Sequence, residues 1–291
     1  MKLAIQEDML LGETLAEQFK NAERLGFEGI EFWSSGLEYR VEEIQRVAST
    51  SPVKPSTICY GRRRCLLHPE REEREAAIAE IKRYLQIAAE LGAVGLVVVP
   101  IFGPPLIPDL ASARSTLTQA VDEPEPAASA CDLSPLADAI ELEKRLLIEL
   151  LRELGRHAES AGAVLILESL NRYETHLLRT LQDAVEVCQA VGSPYVQTMA
   201  DLFHMSIEEA DIPASIEKAG ERVYHVHLAD SNRKLPGLGH TDFAAALAAL
   251  KEIGYDKYMA LECGEPSQNT PLKSYYAQEL SRSLDFLRKY L

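Results

Sequence analysis

The sequence has no long apolar run. No stretch approaches the roughly 18–20 consecutive apolar residues of a membrane-spanning helix. The opening MKLAIQEDML meets acids at Glu7 and Asp8, so neither the basic nor the apolar region of a signal peptide is expected there. Cysteine is scarce and odd in number: Cys59, Cys65, Cys131, Cys188 and Cys263, with no CxxC pair. Without an export signal, reduced thiols in a cytoplasm are the expected state. Basic side chains are outnumbered, 30 Lys and Arg against 45 Asp and Glu, for a net charge of −15. That excess repels phosphate backbones and argues against extended nucleic-acid binding. No glycine-rich phosphate loop follows the first apolar run, which argues against an open dinucleotide-binding sheet.

What is present is globular: 46% hydrophobic and 26% charged residues over 291 positions. Short β-rich runs alternate with longer amphipathic segments eight times, from Leu3–Ile5 to Tyr258–Glu262. One of the expected helices covers Ser206–Ala219. Several helix ends carry glycine, at Gly26, Gly92, Gly162, Gly192 and Gly254, as a left-handed closing residue requires. Parallel strands need crossovers, and eight such units can close a barrel. The expectation is an α/β fold, a (β/α)8 TIM barrel forming a single domain over 1–291. Such barrels usually take about 250 residues, which leaves room for one insertion. It is expected over 102–134, between the fourth strand and the helix that begins near Leu136. Pro104, Pro105, Pro108, Pro124, Pro126 and Pro135 lie in or beside it, and a lid-like role is expected.

In a barrel of this kind the working residues lie at the C-terminal ends of the strands. Strand five, VLILES, ends at Glu168. Strand six, YVQTMAD, reaches Asp201. Strand seven, VYHVHLAD, carries His225 and His227. Strand eight, YMALEC, reaches Glu262. A lone strand-end carboxylate can simply cap the next helix. Four such groups, each after a run that buries its strand, point instead to a cation, because three buried carboxylates without one would be very costly. Hard oxygen ligands suit Mn²⁺ and Mg²⁺, with Mn²⁺ the expected ion. The imidazole also admits Co²⁺, Fe²⁺ or Zn²⁺.

Three segments carry a family likeness: Leu167-Glu168-Ser169-Leu170-Asn171-Arg172-Tyr173-Glu174-Thr175-His176, Asp201-Leu202-Phe203-His204-Met205, and His225-Val226-His227-Leu228-Ala229-Asp230-Ser231-Asn232-Arg233. They resemble the sugar phosphate isomerase/epimerase family of xylose isomerase-like TIM barrels. The nearest likeness is to ketose 3-epimerases of the D-tagatose and D-psicose (allulose) type. The likeness is specific from about Val164 to Gly264, weaker over the first hundred residues, and absent in the insertion. It implies one divalent metal on Glu168, Asp201, His227 and Glu262. It implies that Glu168 and Glu262 are the two catalytic acid/base groups, and that Glu174, His204 and Arg233 touch the substrate near its carbonyl. The partner implied is a small sugar, in carbohydrate metabolism. A cytoplasmic homodimer or homotetramer is expected.

The chemistry agrees with that division of roles. A proton next to a sugar ketone is too weakly acidic for a free carboxylate to remove quickly. A cation on the carbonyl oxygen stabilises the enediolate that forms. One carboxylate takes the proton, and the other returns it to the opposite face, which inverts the carbon. Return to the neighbouring carbon gives an aldose–ketose isomerase instead, as in hydroxypyruvate isomerase. Loss of a β leaving group gives a lyase of the inosose dehydratase or C-glycoside-cleaving kind. C3 epimerisation of a ketose is the expected outcome.

The remaining polar residues have plainer readings beside the functional ones. His225 is read as a hydrogen-bonded core histidine one layer below His227, with a second imidazole ligand as the alternative. Trp33 is placed to stack on a sugar, with a packed interior ring as the alternative. Gln6 and Glu7 are candidates for the distal hydroxyls. His176 and His240 lie in loops near the active face and either work there or are solvated. Arg62, Arg63 and Arg64 either grip a phosphate or pair with the protein's own acids.

Overall fold

The computed structural model describes residues 1–103, 134–264 and 272–291. Eight parallel strands close into one barrel in chain order: β1 (Lys2–Gln6), β2 (Gly29–Trp33), β3 (Lys54–Cys59), β4 (Gly95–Val98), β5 (Val164–Leu167), β6 (Val196–Asp201), β7 (Val223–Leu228) and β8 (Tyr258–Leu261). β1 pairs with both β2 and β8, which closes the ring. The helices are α1 (Leu15–Leu25), α2 (Val41–Ser49), α3 (Arg71–Leu91), α4 (Ser134–Ala161), α5 (Leu181–Val191), α6 (Leu202–Glu208), α7 (Ile212–Ala219), α8 (Phe243–Glu252) and α9 (Leu272–Leu287). The expected (β/α)8 TIM barrel is what forms. Residues 104–133, which make up nearly all of the expected insertion, lie outside the described residues.

Local chemistry explains where elements begin and end. Thr14 and Thr180 each accept an N–H three residues on, from Glu17 and Asp183, whose carboxylates reach back to the cap. All five glycines expected to close a helix have positive φ, between 69° and 81°. Helix α4 buries Leu147, Leu151, Leu154 and Ala158 on one stripe at helical spacing.

One expectation fails in detail. The segment Ser206–Ala219 is not one helix: α6 starts earlier, at Leu202, and stops at Glu208, and α7 starts at Ile212. Glu209 is extended, its carboxylate accepting from Leu181 N and Ser215 Oγ. Asp211 then caps a new helix through Ala214 N, with a proline in its first turn.

The main core lies between the barrel wall and the helices. A smaller apolar cluster of Val97, Val164, Ile166 and Met199 sits apart from it. Alternation along β5 puts Val164, Ile166 and Glu168 on one side, so the polar site stands above an apolar plug. Among the described residues, Cys59, Cys65, Cys188 and Cys263 are free thiols. Among the same residues, no helix is long and apolar enough to cross a membrane.

Candidate active site

The C-terminal ends of β5 to β8 bring four side chains to one point. One ligand atom each from Glu168, Asp201, His227 and Glu262 lies within 4.8 Å of the others, and all four residues are buried. The β6–β7 register pairs Asp201 directly with His227. Asp201 does two jobs. Its Oδ1 accepts the His204 N–H at 2.9 Å and caps α6. Its Oδ2 is buried without a hydrogen-bond partner.

His227 Nδ1 is likewise buried and unpartnered. It lies 3.2 Å from Glu262 Oε2, 3.4 Å from Asp201 Oδ2 and 3.6 Å from Glu168 Oε1. Orphaned donor atoms facing one another in the interior are costly unless a cation joins them. The titration of the cluster points the same way. Burial pushes the Glu168 carboxyl up, and the charges of Glu262 and Asp201 add to that, with His227 opposing. Burial disfavours the His227 imidazolium, yet the carboxylates of Glu262 and Glu31 raise it well above the usual histidine range. The site therefore draws positive charge to itself. Three carboxylates and an imidazole at this spacing fit one divalent ion.

A cavity of about 210 Å³ opens beside this cluster. Trp33, Val97 and Phe102 wall it, with Arg62, Glu168, Glu174, His204, Arg233 and Glu262 as its charged and imidazole lining. Arg233 donates from Nη2 to Glu262 Oε2 at 3.0 Å, and its Nη1 lies 3.2 Å from His204 Nε2. Its guanidinium sits 4.8 Å above the Phe203 ring. Its φ is 57°, and among the described residues no other non-glycine residue has positive φ. Backbone strain is thus stored at a cation aimed into the cavity. His204 Nδ1 accepts the Asn171 main-chain N–H at 3.1 Å, and the Asn171 side-chain amide lies 2.8 Å from the same nitrogen. A larger surface groove of about 530 Å³ between Pro236–Leu238 and α9 contains no comparable cluster.

A family model described as the xylose isomerase-like TIM barrel matches residues 19–290. The chain belongs to that family. It is 27% identical to the 3-dehydro-D-guloside 4-epimerase of Escherichia coli K12, over 94% of this chain and 96% of that one. It is 42% identical to a D-psicose 3-epimerase of Enterocloster bolteae, over a stretch covering 38% of this chain and 37% of that one. Among solved structures, the apo 3-keto-D-glucoside 4-epimerase of E. coli superposes with a TM-score of 0.81 at 26% identity, covering 99% of both chains. The protein is an enzyme of the isomerase class, an epimerase of this barrel family.

Within this xylose isomerase-like barrel, other polar residues take structural parts. Gln6 and Glu7, the candidates for the distal hydroxyls, are held by protein partners. Gln6 is buried and donates to Glu31 Oε1 and Glu262 Oε1 at 3.0 and 3.1 Å, while Glu7 holds the Trp33 N–H and pairs with Arg40. Arg63 pairs with Glu80 and Arg64 with Glu73 on α3, and Arg62 pairs with Glu174 while stacking on Phe102. Arg63 and Arg64 serve the protein's own acids, whereas Arg62 also lines the cavity. His176 is bound between Gly103 O and Glu143, whereas His240 is exposed. His225 is a core histidine bonded to Glu31, as its position predicts.

Glu31 is the residue that sequence reasoning missed. It lies within β2 rather than at its end and is fully buried, with both imidazoles of β7 against it. The signal was a lone carboxylate inside the apolar run Gly29-Ile30-Glu31-Phe32-Trp33, where burial demands partners.

Proposed function

We propose that the protein inverts the carbon next to a sugar ketone, first of all C3 of a free ketose, with one divalent ion, Mn²⁺ foremost, held by Glu168, Asp201, His227 and Glu262. The observation that supports this best is the convergence of two buried carboxylates, Glu168 and Glu262, on the unpartnered atoms of Asp201 and His227 beside a sugar-sized cavity. When bound, the ion supplies positive charge for a ketone oxygen that becomes anionic as the neighbouring proton leaves.

The chain's own residues do the rest. One of the two glutamates removes the proton, and the other delivers one to the opposite face. Glu262 is held at both oxygens, by Gln6 on Oε1 and Arg233 on Oε2, so its direction of approach is set before substrate arrives. Arg233 donates to oxygens that gain charge, and its own charge is fixed; His204 lines the cavity beside it, within hydrogen-bonding reach of the substrate's carbonyl end. Trp33 and Phe102 offer apolar faces to the sugar's C–H surfaces and keep water away from the reacting carbon. Glu174, paired with Arg62, accepts from a substrate hydroxyl.

A second reading is favoured by the end-to-end match to a 4-epimerase of 3-keto glycosides. Inversion at C4 next to a C3 ketone is the same chemistry moved one carbon along. Both readings are tested with free ketoses and 3-keto glycosides in D₂O, using Mn²⁺-, Mg²⁺- and Co²⁺-loaded protein, with products read by NMR. Deuterium at the inverted carbon supports epimerisation and its position separates C3 from C4. Label on the neighbouring carbon with an aldose product means an isomerase, and loss of water or an aglycone means a lyase. No exchange with any of these sugars overturns the proposal.

A further inference from the structure

Below the proposed metal ligands lies a second buried cluster made of Glu31, His225 and His227. Its atoms are already hydrogen-bonded to one another, so it is not a second cation site. The Glu31 carboxylate has no solvent exposure. Its Oε1 accepts from Gln6 Nε2 at 3.0 Å and from His227 Nε2 at 3.1 Å. Its Oε2 accepts from Thr57 Oγ1 at 2.6 Å and from His225 Nε2 at 2.9 Å. Four donors from β1, β3 and β7 thus converge on one carboxylate of β2. An ionised carboxylate has acceptor positions for all four, and an amide does not.

The consequence falls on His227. Its Nε2 must carry a proton to donate to Glu31, so Nδ1 is the nitrogen left to offer a lone pair. Nδ1 is the atom that faces Glu168, Asp201 and Glu262. The Gln6 amide extends the arrangement by bridging Glu31 Oε1 and Glu262 Oε1 with its two hydrogens. We propose that Glu31 is a positioning residue of the metal centre, which fixes His227 in the Nε2–H tautomer and orients Nδ1 toward the cation. A carboxylate behind a ligating imidazole both orients the ring and increases its basicity, and its loss typically costs 10–100-fold in metal affinity. This role rests on the metal reading above.

The test measures Mn²⁺ affinity by chelator competition for the wild type and Glu31→Gln, alongside far-UV circular dichroism of both. Glu31→Gln is expected to weaken Mn²⁺ binding about 10–100-fold with the helical spectrum retained. Equal affinity in wild type and variant overturns the role of Glu31 alone. A second measurement does not depend on the variant folding: ¹⁵N NMR of histidine-labelled, Zn²⁺-loaded wild type. His227 with a protonated Nε2 and a metal-bound Nδ1 supports the proposal, and metal on Nε2 overturns it. Wild-type protein that binds neither Mn²⁺ nor Zn²⁺ removes the metal reading and this role with it.

Discussion

Glu168 and Glu262 are asked to carry a proton, and an amide of the same shape cannot. Glu168→Gln and Glu262→Gln are each expected to lower kcat by about 10²–10⁴-fold, the range for a positioned acid or base, as measured on a sugar that the wild type converts. Activity within about tenfold of wild type would show that the mutated residue is not one of the two. Arg233 makes a different prediction because it is no ligand. Arg233→Ala removes a charge beside the developing oxyanion but leaves Glu168, Asp201, His227 and Glu262 in place. Turnover is expected to fall about 100-fold or more while Mn²⁺ affinity stays within about threefold, read by steady-state kinetics and chelator competition. Equal loss of both would make Arg233 structural. At this scale the site was legible wherever a polar residue ends a strand after an apolar run, which describes Glu168, Asp201 and Glu262. Glu31 was not, because β2 is buried on both faces and its alternation therefore carries little contrast. The two parts of Asp201 also escape sequence: capping α6 and facing the site were alternatives on paper, and its two oxygens divide them.

The loop from β7 to α8 shows how an element holds a functional side chain. Buried Asp230 accepts four main-chain N–H groups: Ser231 and Thr241 on Oδ1, Gly237 and Gly239 on Oδ2. A Cβ at Gly239 would run into that carboxylate, so the position has room only for glycine. Asp230 also accepts the Arg233 N–H on its carbonyl at 2.7 Å, so the network holds Arg233 in its left-handed conformation. Burial raises the Asp230 carboxyl, but the hydrogen bonds from Thr241, Ser231 and Gly239 outweigh it and hold it below the usual aspartate range. A depressed folded value means stability that is present above the unfolded value, near pH 4, and lost as pH falls through the lower folded one. Asp230→Asn is therefore expected to cost about 1–3 kcal/mol at pH 7, and the gap to wild type should narrow from about pH 5 to pH 3 in urea titrations. A gap independent of pH would show that the charge is not what the loop uses. Element boundaries were mostly legible, because capping threonines and closing glycines act locally. The break between α6 and α7 was not, because the Glu209 carboxylate is occupied by Leu181 N on α5, a contact no local pattern announces.

At the scale of the molecule, counting eight strand–helix units favoured the barrel over an open doubly wound sheet without deciding between them, because parallel strands joined by helices can build either, and the family resemblance added the rest. The likeness that points to the chemistry is concentrated in the second half, where β5 to β8 each bring one candidate ligand to the barrel mouth. A cation held there links four strands at once, and it binds the folded chain only, since the unfolded chain cannot assemble the four groups. Binding that favours the native state stabilises it by about 2.7 kcal/mol at a hundredfold excess over Kd. For a domain of this size that is a rise in Tm of about 4–5 °C. Chelated protein titrated with Mn²⁺ should show it by calorimetry, and EDTA should reverse it and abolish turnover together. Asp201→Asn should remove most of the rise, since it takes away one ligand charge while its Oδ1 can still cap α6. His227→Ala should remove it too. A Tm unchanged by Mn²⁺ in the wild type, with full activity after exhaustive chelation, would mean that the three carboxylates are balanced by His227 and Arg233 alone. Inversion would then have to proceed with the protein's own cations as the only positive charge beside the ketone.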